Sequence, residues 1–374
     1  MYSVNFDLEI ITPLFMAGAD GRTPELRPPS FKGMMRFWWR AMKAEDDIKK
    51  LANEEASILG GTGSTERKSK IQVTIPQKPK LQTEDDLLSE IGFLKNDKRI
   101  TKQEYGGIGY LLYSTYTLKD KGMPVLRGYI KPDQKFDFAL KAMTEEATNH
   151  ALASLWLAIY LGGFGTRSRR GGGNLAVSDV QGDINKIDDI KSRFIPGGNI
   201  ENFIETGFIW SRDIIQANKT ETDKYSNLSR PRILLGIPHA DTKWEKALNN
   251  VGDVYKKYRT DKKNELFKGP NFGMPVMHSR FKTRLIAGSQ NDHLLSDRRS
   301  SPLIIKLIKF REKYFPAVIK LGGNLLPKDC VIMKQERTDR DWKSLGKSKK
   351  EDSEVVNDFL NILERGQRYR EIKL

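Results

Sequence analysis

Gly162-Gly163-Phe164-Gly165-Thr166-Arg167-Ser168-Arg169-Arg170-Gly171-Gly172-Gly173-Asn174-Leu175 is the stretch on which the reading of the fold turns. It holds six glycines and three arginines and no acidic residue. An apolar helical pattern, Ala147 to Leu161, runs into it, and a strand-like run, Leu175 to Val180, leaves it. Glycine-rich loops that cradle nucleotides run the other way, from strand into helix. The match of Gly171-Gly172-Gly173-Asn174-Leu175-Ala176 to G-x-G-x-x-A is therefore discounted, and no G-x-x-x-x-G-K-[ST] occurs. Three guanidiniums among glycine N–H groups instead suggest a concave site for an anion, with Gly165, Arg167, Ser168, Arg169, Arg170 and Gly171 as its candidate residues.

Working outward, residues 2–14 alternate as a strand, with Val4, Phe6, Leu8 and Ile10 on one side. Ser30 is a candidate N-cap after Pro28-Pro29, and a helix is expected over 31–43. Phe31, Met34, Met35, Trp38 and Met42 share one helical face. Lys32, Arg36, Arg40 and Lys43 form a stripe on another, flanked by Phe37 and Trp39 as candidate stacking surfaces. No Glu or Asp lies between Arg27 and Lys43, so the stripe looks unpaired and suited to an anionic partner. Strands are expected at Ile71–Ile75, Tyr110–Thr117 and Lys135–Ala142, with 76–104 as an insertion and a helix over 145–161. The first half thus reads β-α-β-β-α-β, an α+β, ferredoxin-like (RRM-like) pattern with insertions.

Residues 183–228 show few strong periodicities, and Pro196-Gly197-Gly198 marks a junction there. The expected organisation is a domain over 1–182 carrying the glycine-rich loop, a junction over 183–228 and a second domain over 229–374. In the latter, strands are read at Arg232–Ile237, Pro302–Phe310 and Ala317–Leu321, and helices at Lys243–Tyr258 and Ser353–Glu364. Residues 337–354 read as a mixed-charge loop. Gly-Gly-Asn-Leu occurs at 172–175 and again at 322–325, a short echo between the halves.

The 374 residues carry 64 Lys and Arg against 48 Asp and Glu, and the excess of +16 points to a polyanionic partner. It is spread through segments that look folded, which favours a basic groove over a disordered arm. One cysteine, Cys330, excludes a disulfide framework and a cysteine zinc site, and a reducing cytoplasm is the expected setting. No secretory signal is visible, and no apolar run reaches the ~20 residues of a membrane span. The four histidines are scattered without ligand spacing, so neither a metal nor a cofactor is expected. His239 with Asp241 and His293 with Asp292 are acid–base pairs on paper only. Arg280-Phe281-Lys282-Thr283-Arg284 is a further basic piece. Arg298 and Arg299, before Ser300-Ser301 and a strand, are candidate phosphate contacts.

The segment Glu25-Leu26-Arg27-Pro28-Pro29-Ser30-Phe31-Lys32-Gly33-Met34-Met35-Arg36-Phe37-Trp38-Trp39-Arg40-Ala41, after a strand ending Ile11-Thr12-Pro13-Leu14-Phe15, resembles the RAMP (repeat-associated mysterious protein) sequences of CRISPR systems. The tandem Phe37-Trp38-Trp39-Arg40 narrows the resemblance to the first RAMP subunit of the type III-B, or Cmr, effector complex. The loop around Arg167-Ser168-Arg169-Arg170 is similar to that family's glycine-rich loop. Phe272-Gly273-Met274-Pro275 and Arg298-Arg299-Ser300-Ser301-Pro302-Leu303 look like its carboxy-terminal blocks.

The resemblance implies two tandem ferredoxin-like domains and a cytoplasmic ribonucleoprotein of antiviral defence. It implies guide (CRISPR) RNA, target single-stranded RNA and other Cmr-complex subunits as partners, with a place near the guide 3′ end. In that complex other subunits cleave, so a non-catalytic RNA-binding role is expected. Its RNA-binding residues would be Lys32, Arg36, Trp39, Arg40, Gly165, Arg167, Ser168, Arg169, Arg170, Gly171, Arg298 and Arg299. The alternative is a metal-independent endoribonuclease with a histidine base. RAMP nucleases place a histidine near the first helix, and this chain has none between residues 1 and 149.

Overall fold

β1 (Tyr2–Ile10) forms because its apolar residues fall on alternate positions, which buries Val4, Phe6, Leu8 and Ile10 on one face. The computed structural model describes residues 1–374 apart from 77–81, 85–93, 96–97, 100–105, 119–123, 219–220, 239–242, 279–282, 290–293, 297 and 339–341. After β1 come α1 (Pro28–Lys43), α2 (Ile48–Leu59), β2 (Ile71–Thr74), β3 (Lys135–Ala142), α3 (Glu145–Tyr160) and β4 (Leu175–Asp183). The sheet order is β4-β1-β3-β2, all antiparallel, with α1 and α3 as the two crossovers. This is the ferredoxin-like topology. Two more helices follow, α4 (Ile187–Phe194) and α5 (Ile200–Ile215).

The second half runs β5 (Asn227–Gly236), α6 (Trp244–Asp261), β6 (Val276–His278), β7 (Thr283–Ser289), β8 (Leu303–Phe310), β9 (Lys313–Gly322), β10 (Cys330–Arg337), β11 (Trp342–Lys349), α7 (Glu354–Arg365) and β12 (Tyr369–Glu371). Four of these strands repeat the same order, β12-β5-β9-β8. The strands inserted on either side of β8 and β9 join as a separate sheet, β6-β7-β10-β11. The chain is therefore an α+β protein of two tandem ferredoxin-like units with insertions.

Several local expectations change. Pro28 and Pro29 lie inside the first turn of α1, where proline lacks only an N–H the helix leaves unbonded, so Arg27 rather than Ser30 is the N-cap. Tyr110–Thr117 is not a strand: a short helix, Gly106–Leu111, and a 3-10 turn precede a strand at Tyr116–Leu118. Residues 337–354 are not all loop: they contain β11, whose lysines hide its alternation. The Gly-Gly-Asn-Leu echo is not a repeat of position, because 172–175 leads into β4 whereas 322–325 follows β9.

Residues 183–228 contain α4 and α5, and the reason lies in α3. Twelve of the sixteen α3 residues are buried, so the helix needs cover on every side. Trp156 Nε1 donates to the Arg193 carbonyl at 3.0 Å, and Gly207 of α5 lies so close that a Cβ there would stand 2.0 Å from the Trp156 ring. The polar outer residues of α4 mask the two that pack, Ile190 and Phe194, whereas α5 buries seven of its sixteen residues.

The two units join along β8, the edge strand of the second sheet. The glycine-rich loop adds to that edge: Arg170 forms a parallel bridge with Ile305, and Ile305 N–H donates to the Arg169 carbonyl at 3.2 Å. Asn174 is fully buried, and its Oδ1 accepts from Leu307 N–H at 2.8 Å. The Arg170 guanidinium donates to the carbonyls of Leu303 (2.7 Å) and Phe272 (3.0 Å). Between these contacts Lys306 is wholly buried and donates from Nζ to the Ile159 carbonyl in the last turn of α3, a turn with no basic residue of its own.

Two outcomes follow for stability. Arg170→Ala strips two buried carbonyls of a charged donor and is expected to cost about 2–3 kcal/mol in denaturant melts, whereas the exposed Arg298→Ala is expected to stay within about 0.5 kcal/mol. Burial pushes the Lys306 ammonium from 10.5 down to about 7. Between about pH 7 and pH 10 the unfolded chain then holds a proton that the folded chain releases, so this group makes stability rise with pH across that window. The stability of the parent chain relative to Lys306→Met should climb over that range. A flat difference would show that the Ile159 carbonyl keeps the proton in place.

Candidate nucleic-acid interface

The loop that docks on β8 folds tightly because glycine allows it. Gly173 has φ +62° and approaches Phe164 so closely that a Cβ would stand 1.9 Å from the carbonyl oxygen. Much of the loop backbone is spent on the protein itself. Thr166 N–H donates to Phe15 O, Gly173 N–H to Pro13 O, and both Arg170 N–H and Gly172 N–H to Arg167 O. Gly165 packs on the Phe15 carbonyl, and Gly171 is buried against Leu248 of α6. Gly171 therefore belongs to the seam rather than to an open anion cradle, which corrects the expectation for that residue.

The α1 stripe is corrected in the same way. Its counter-charges come from α2, outside the stretch in which none was found. Glu55 is buried and lies 2.7 Å from Arg36 Nε and 2.6 Å from Arg40 Nη1, while Glu54 pairs with Lys43 at 2.9 Å. Arg36 also donates to the Gly60 carbonyl at 2.6 Å, and Lys32 to Ser69 Oγ at 2.7 Å and the Ile71 carbonyl at 3.2 Å. Burial first, and Arg36 second, lower the Lys32 pKa. Lys32 and Arg36 thus pin the α2–β2 connection. Trp39 is 1 % exposed and its Nε1 donates to His150 Nδ1 at 3.0 Å, so it offers no face to a base. Burial lowers the pKa of His150, which leaves the ring neutral and able to accept that hydrogen bond.

What the structure brings together is Arg40, the loop arginines and the 298–301 segment. A cleft of about 470 Å³ between the units is lined by Phe37, Arg40, Arg169, Lys224, Tyr225, Arg298 and Arg299 among others. A second, of about 370 Å³, is lined by Arg167, Ser168, Arg169, Arg170, the Phe272–Pro275 segment, Arg299 and Ser300–Ser301. Arg169, Arg299 and Ser300 border both, so the two adjoin as parts of one groove, and among the described residues no acidic side chain lines either part. Arg169 lies over the Phe37 ring at 5.0 Å and donates to the Ser301 carbonyl. Burial, and then Arg170, push its pKa down to about 10, which still leaves it charged at neutral pH. The Arg299 backbone is fixed by reciprocal hydrogen bonds with Met274, at 2.8 and 3.0 Å. Its Nε is buried and meets no acceptor among the described residues.

Of the residues expected to form a site, Arg40, Arg167, Ser168, Arg169, Arg298 and Arg299 border the groove with room in front of them. Arg170 reaches it too, but as a buried residue whose donors are committed to carbonyls. The sequence reading missed Lys224 and Tyr225, which come from the polar segment before β5. Tyr225 donates to the Glu45 carbonyl at 2.9 Å and Lys224 pairs with Asp46 at 2.7 Å, contacts that no local pattern announces. The paired histidines stay untested by geometry, because His239, Asp241, Asp292 and His293 lie outside the described residues. Among the described residues no group of His, Cys, Asp and Glu could hold a metal ion, and no helix is long and apolar enough to cross a membrane.

Comparison with known proteins places this geometry. The RAMP superfamily profile matches residues 7–176. The CRISPR system Cmr subunit Cmr1-1 of Pyrococcus furiosus is 26% identical over 330 residues, covering 86% of this chain and 87% of the relative. Cmr1-2 of the same organism is 36% identical over 190 residues, covering 47% of this chain and 96% of the relative. The crystal structure of apo Cmr1 from P. furiosus superposes with a TM-score of 0.65 at 21% identity, covering 100% of this chain and 99% of that one. A chain of a type III-B Cmr-beta cryo-EM structure bound to cognate target RNA and AMPPnP superposes at 0.57 and 16% identity, covering 98% and 99%. With two ferredoxin-like units, a glycine-rich loop seated between them and a relative matched along nearly its whole length, the chain belongs to the RAMP superfamily and, within it, to the family of CRISPR Cmr subunits.

Proposed function

We propose that the chain is a non-catalytic RNA-binding subunit of a type III-B (Cmr) RNA-guided, RNA-targeting complex. In this reading the groove between the two units holds the backbone of guide RNA, or of the guide–target duplex, near the guide 3′ end. The other subunits of a cytoplasmic assembly are its protein partners. The observation that carries the reading is Arg299. Its buried Nε lacks an acceptor among the described residues at the point where both parts of the groove meet, and an unsatisfied buried donor costs about 1–3 kcal/mol unless a ligand supplies one. A phosphate oxygen fits that donor, and Arg169 and Arg298 add charge beside it. That a similarly folded chain is part of an assembly bound to cognate target RNA supports the same reading.

Guide sequences vary, so such a groove has to read backbone rather than bases. With three to five phosphates neutralised, log K for single-stranded RNA should fall against log[salt] with a slope of roughly −2 to −3.5. Arg298→Ala/Arg299→Ala should flatten that slope and weaken binding with little change in thermal midpoint. Lys32→Ala/Arg36→Ala should do the reverse, lowering stability and sparing RNA. Tight binding confined to one sequence would defeat the proposal.

Labelled single-stranded RNA incubated with the pure chain in EDTA should stay intact. Turnover that survives repurification and disappears with His150→Ala, His239→Ala, His278→Ala or His293→Ala would instead establish an endoribonuclease.

A further inference from the structure

The inserted sheet grows directly out of the groove. Phe272, Gly273, Met274 and Pro275 form one wall of its smaller part, and β6 begins at the next residue, Val276. Strand pairing then places Met277 opposite Arg284, Arg284 opposite Gln335 and Gln335 opposite Ser344. These four residues make one row across β6-β7-β10-β11, about 14 Å long at the usual strand spacing. Three of the four, Arg284, Gln335 and Ser344, are polar, and none of the four is acidic. Beside it Arg284 lies over the Trp342 ring at 4.4 Å, and its Nε donates to Gln335 Oε1 at 2.8 Å, which fixes the guanidinium plane. The outer strand, β11, adds exposed Lys343, Lys347 and Lys349, and residues 334–350 hold seven Lys and Arg against three acids.

We infer that this inserted sheet is a second contact surface for single-stranded RNA, continuing the path of the strand that leaves the groove. The inference rests on the groove reading above and extends it. Charge selects a polyanion, and the Arg284–Trp342 pair supplies what a purely electrostatic patch lacks, a fixed planar surface beside the row. Bases accept such surfaces without regard to sequence, and each stacked base contributes enough to matter at about 1–3 kcal/mol. The row is several times longer than the about 3.4 Å between stacked bases. The β11 lysines lie at the sheet edge, where they discourage strand-to-strand aggregation; Lys343 and Lys349 pair opposite Glu336 and Ile332, on the face away from the row, so an RNA backbone meets them only as it rounds that edge.

Fluorescence anisotropy with 5′-labelled oligouridine of about 5 and about 20 nucleotides separates the two surfaces, because the groove alone accommodates the short strand. Arg284→Ala/Trp342→Leu should weaken the long RNA about tenfold, the loss of one stacked base, and leave the short RNA within about twofold. Should that variant fail to fold, Lys343→Ala/Lys347→Ala/Lys349→Ala, three solvent-facing changes, carries the test. It should reduce the salt slope for the long RNA by about 2 and leave the short RNA unchanged. Unchanged long-RNA binding in both variants, or equal losses for both lengths, would overturn the inference. The groove reading fails in a different way: Arg298→Ala/Arg299→Ala would then weaken neither RNA.

Discussion

An unpaired sheet edge is the constraint on which this molecule depends. β8 ends the second ferredoxin-like sheet with free backbone groups, and exposed edges of that kind are liabilities in water. The glycine-rich loop of the first unit covers it, with Arg170, Asn174 and the Arg169 carbonyl taking its donors and acceptors in turn. Because these bonds are buried, each is costly to leave unmade, and together they fix how the two units face one another. The groove is the space left on either side of that seam. A loop without glycine at 171 and 173 would collide with Leu248 and with its own Phe164 carbonyl before reaching the edge.

The same chemistry serves two ends within a few residues. Arg170 and Arg169 are chain neighbours, yet one guanidinium is sealed against carbonyls while the other stands at the groove over Phe37. On α1, Arg36 and Arg40 share the Glu55 carboxylate, and only Arg40 extends to the groove. A guanidinium has five N–H groups in a fixed fork, so one side can be anchored in the protein while the other stays available. Anchoring also positions the charge, which limits the side-chain entropy lost when a phosphate arrives.

The strand and helix periods, the glycine loop and the excess of basic charge are all local, and they sufficed for the α+β class, for the first ferredoxin-like unit and for a polyanion-binding reading. The stacked residues of β1 and the buried face of α1 were legible because each repeats with the period of its element. β11 and α4 were not, because each buries only part of itself and its charged residues outnumber the periodic ones.

Which cations are committed and which are free is a long-range matter. Glu54 and Glu55 reach the α1 stripe only because α2 folds back on it, and Trp39 leaves the surface only because α3 brings His150 to it. The sequence by itself determined that this protein is basic, that it is built from ferredoxin-like elements, and that Arg169 and Arg299 lie in segments suited to anions. Only the tertiary structure decided that those two arginines, 130 residues apart in the chain, border the same groove. It also decided that Lys32, Arg36 and Arg170 do not stand free. The reason is physical: hydrogen-bond partners lie within about 3 Å in space, and nothing in a linear spacing encodes which distant carbonyl or carboxylate will be there.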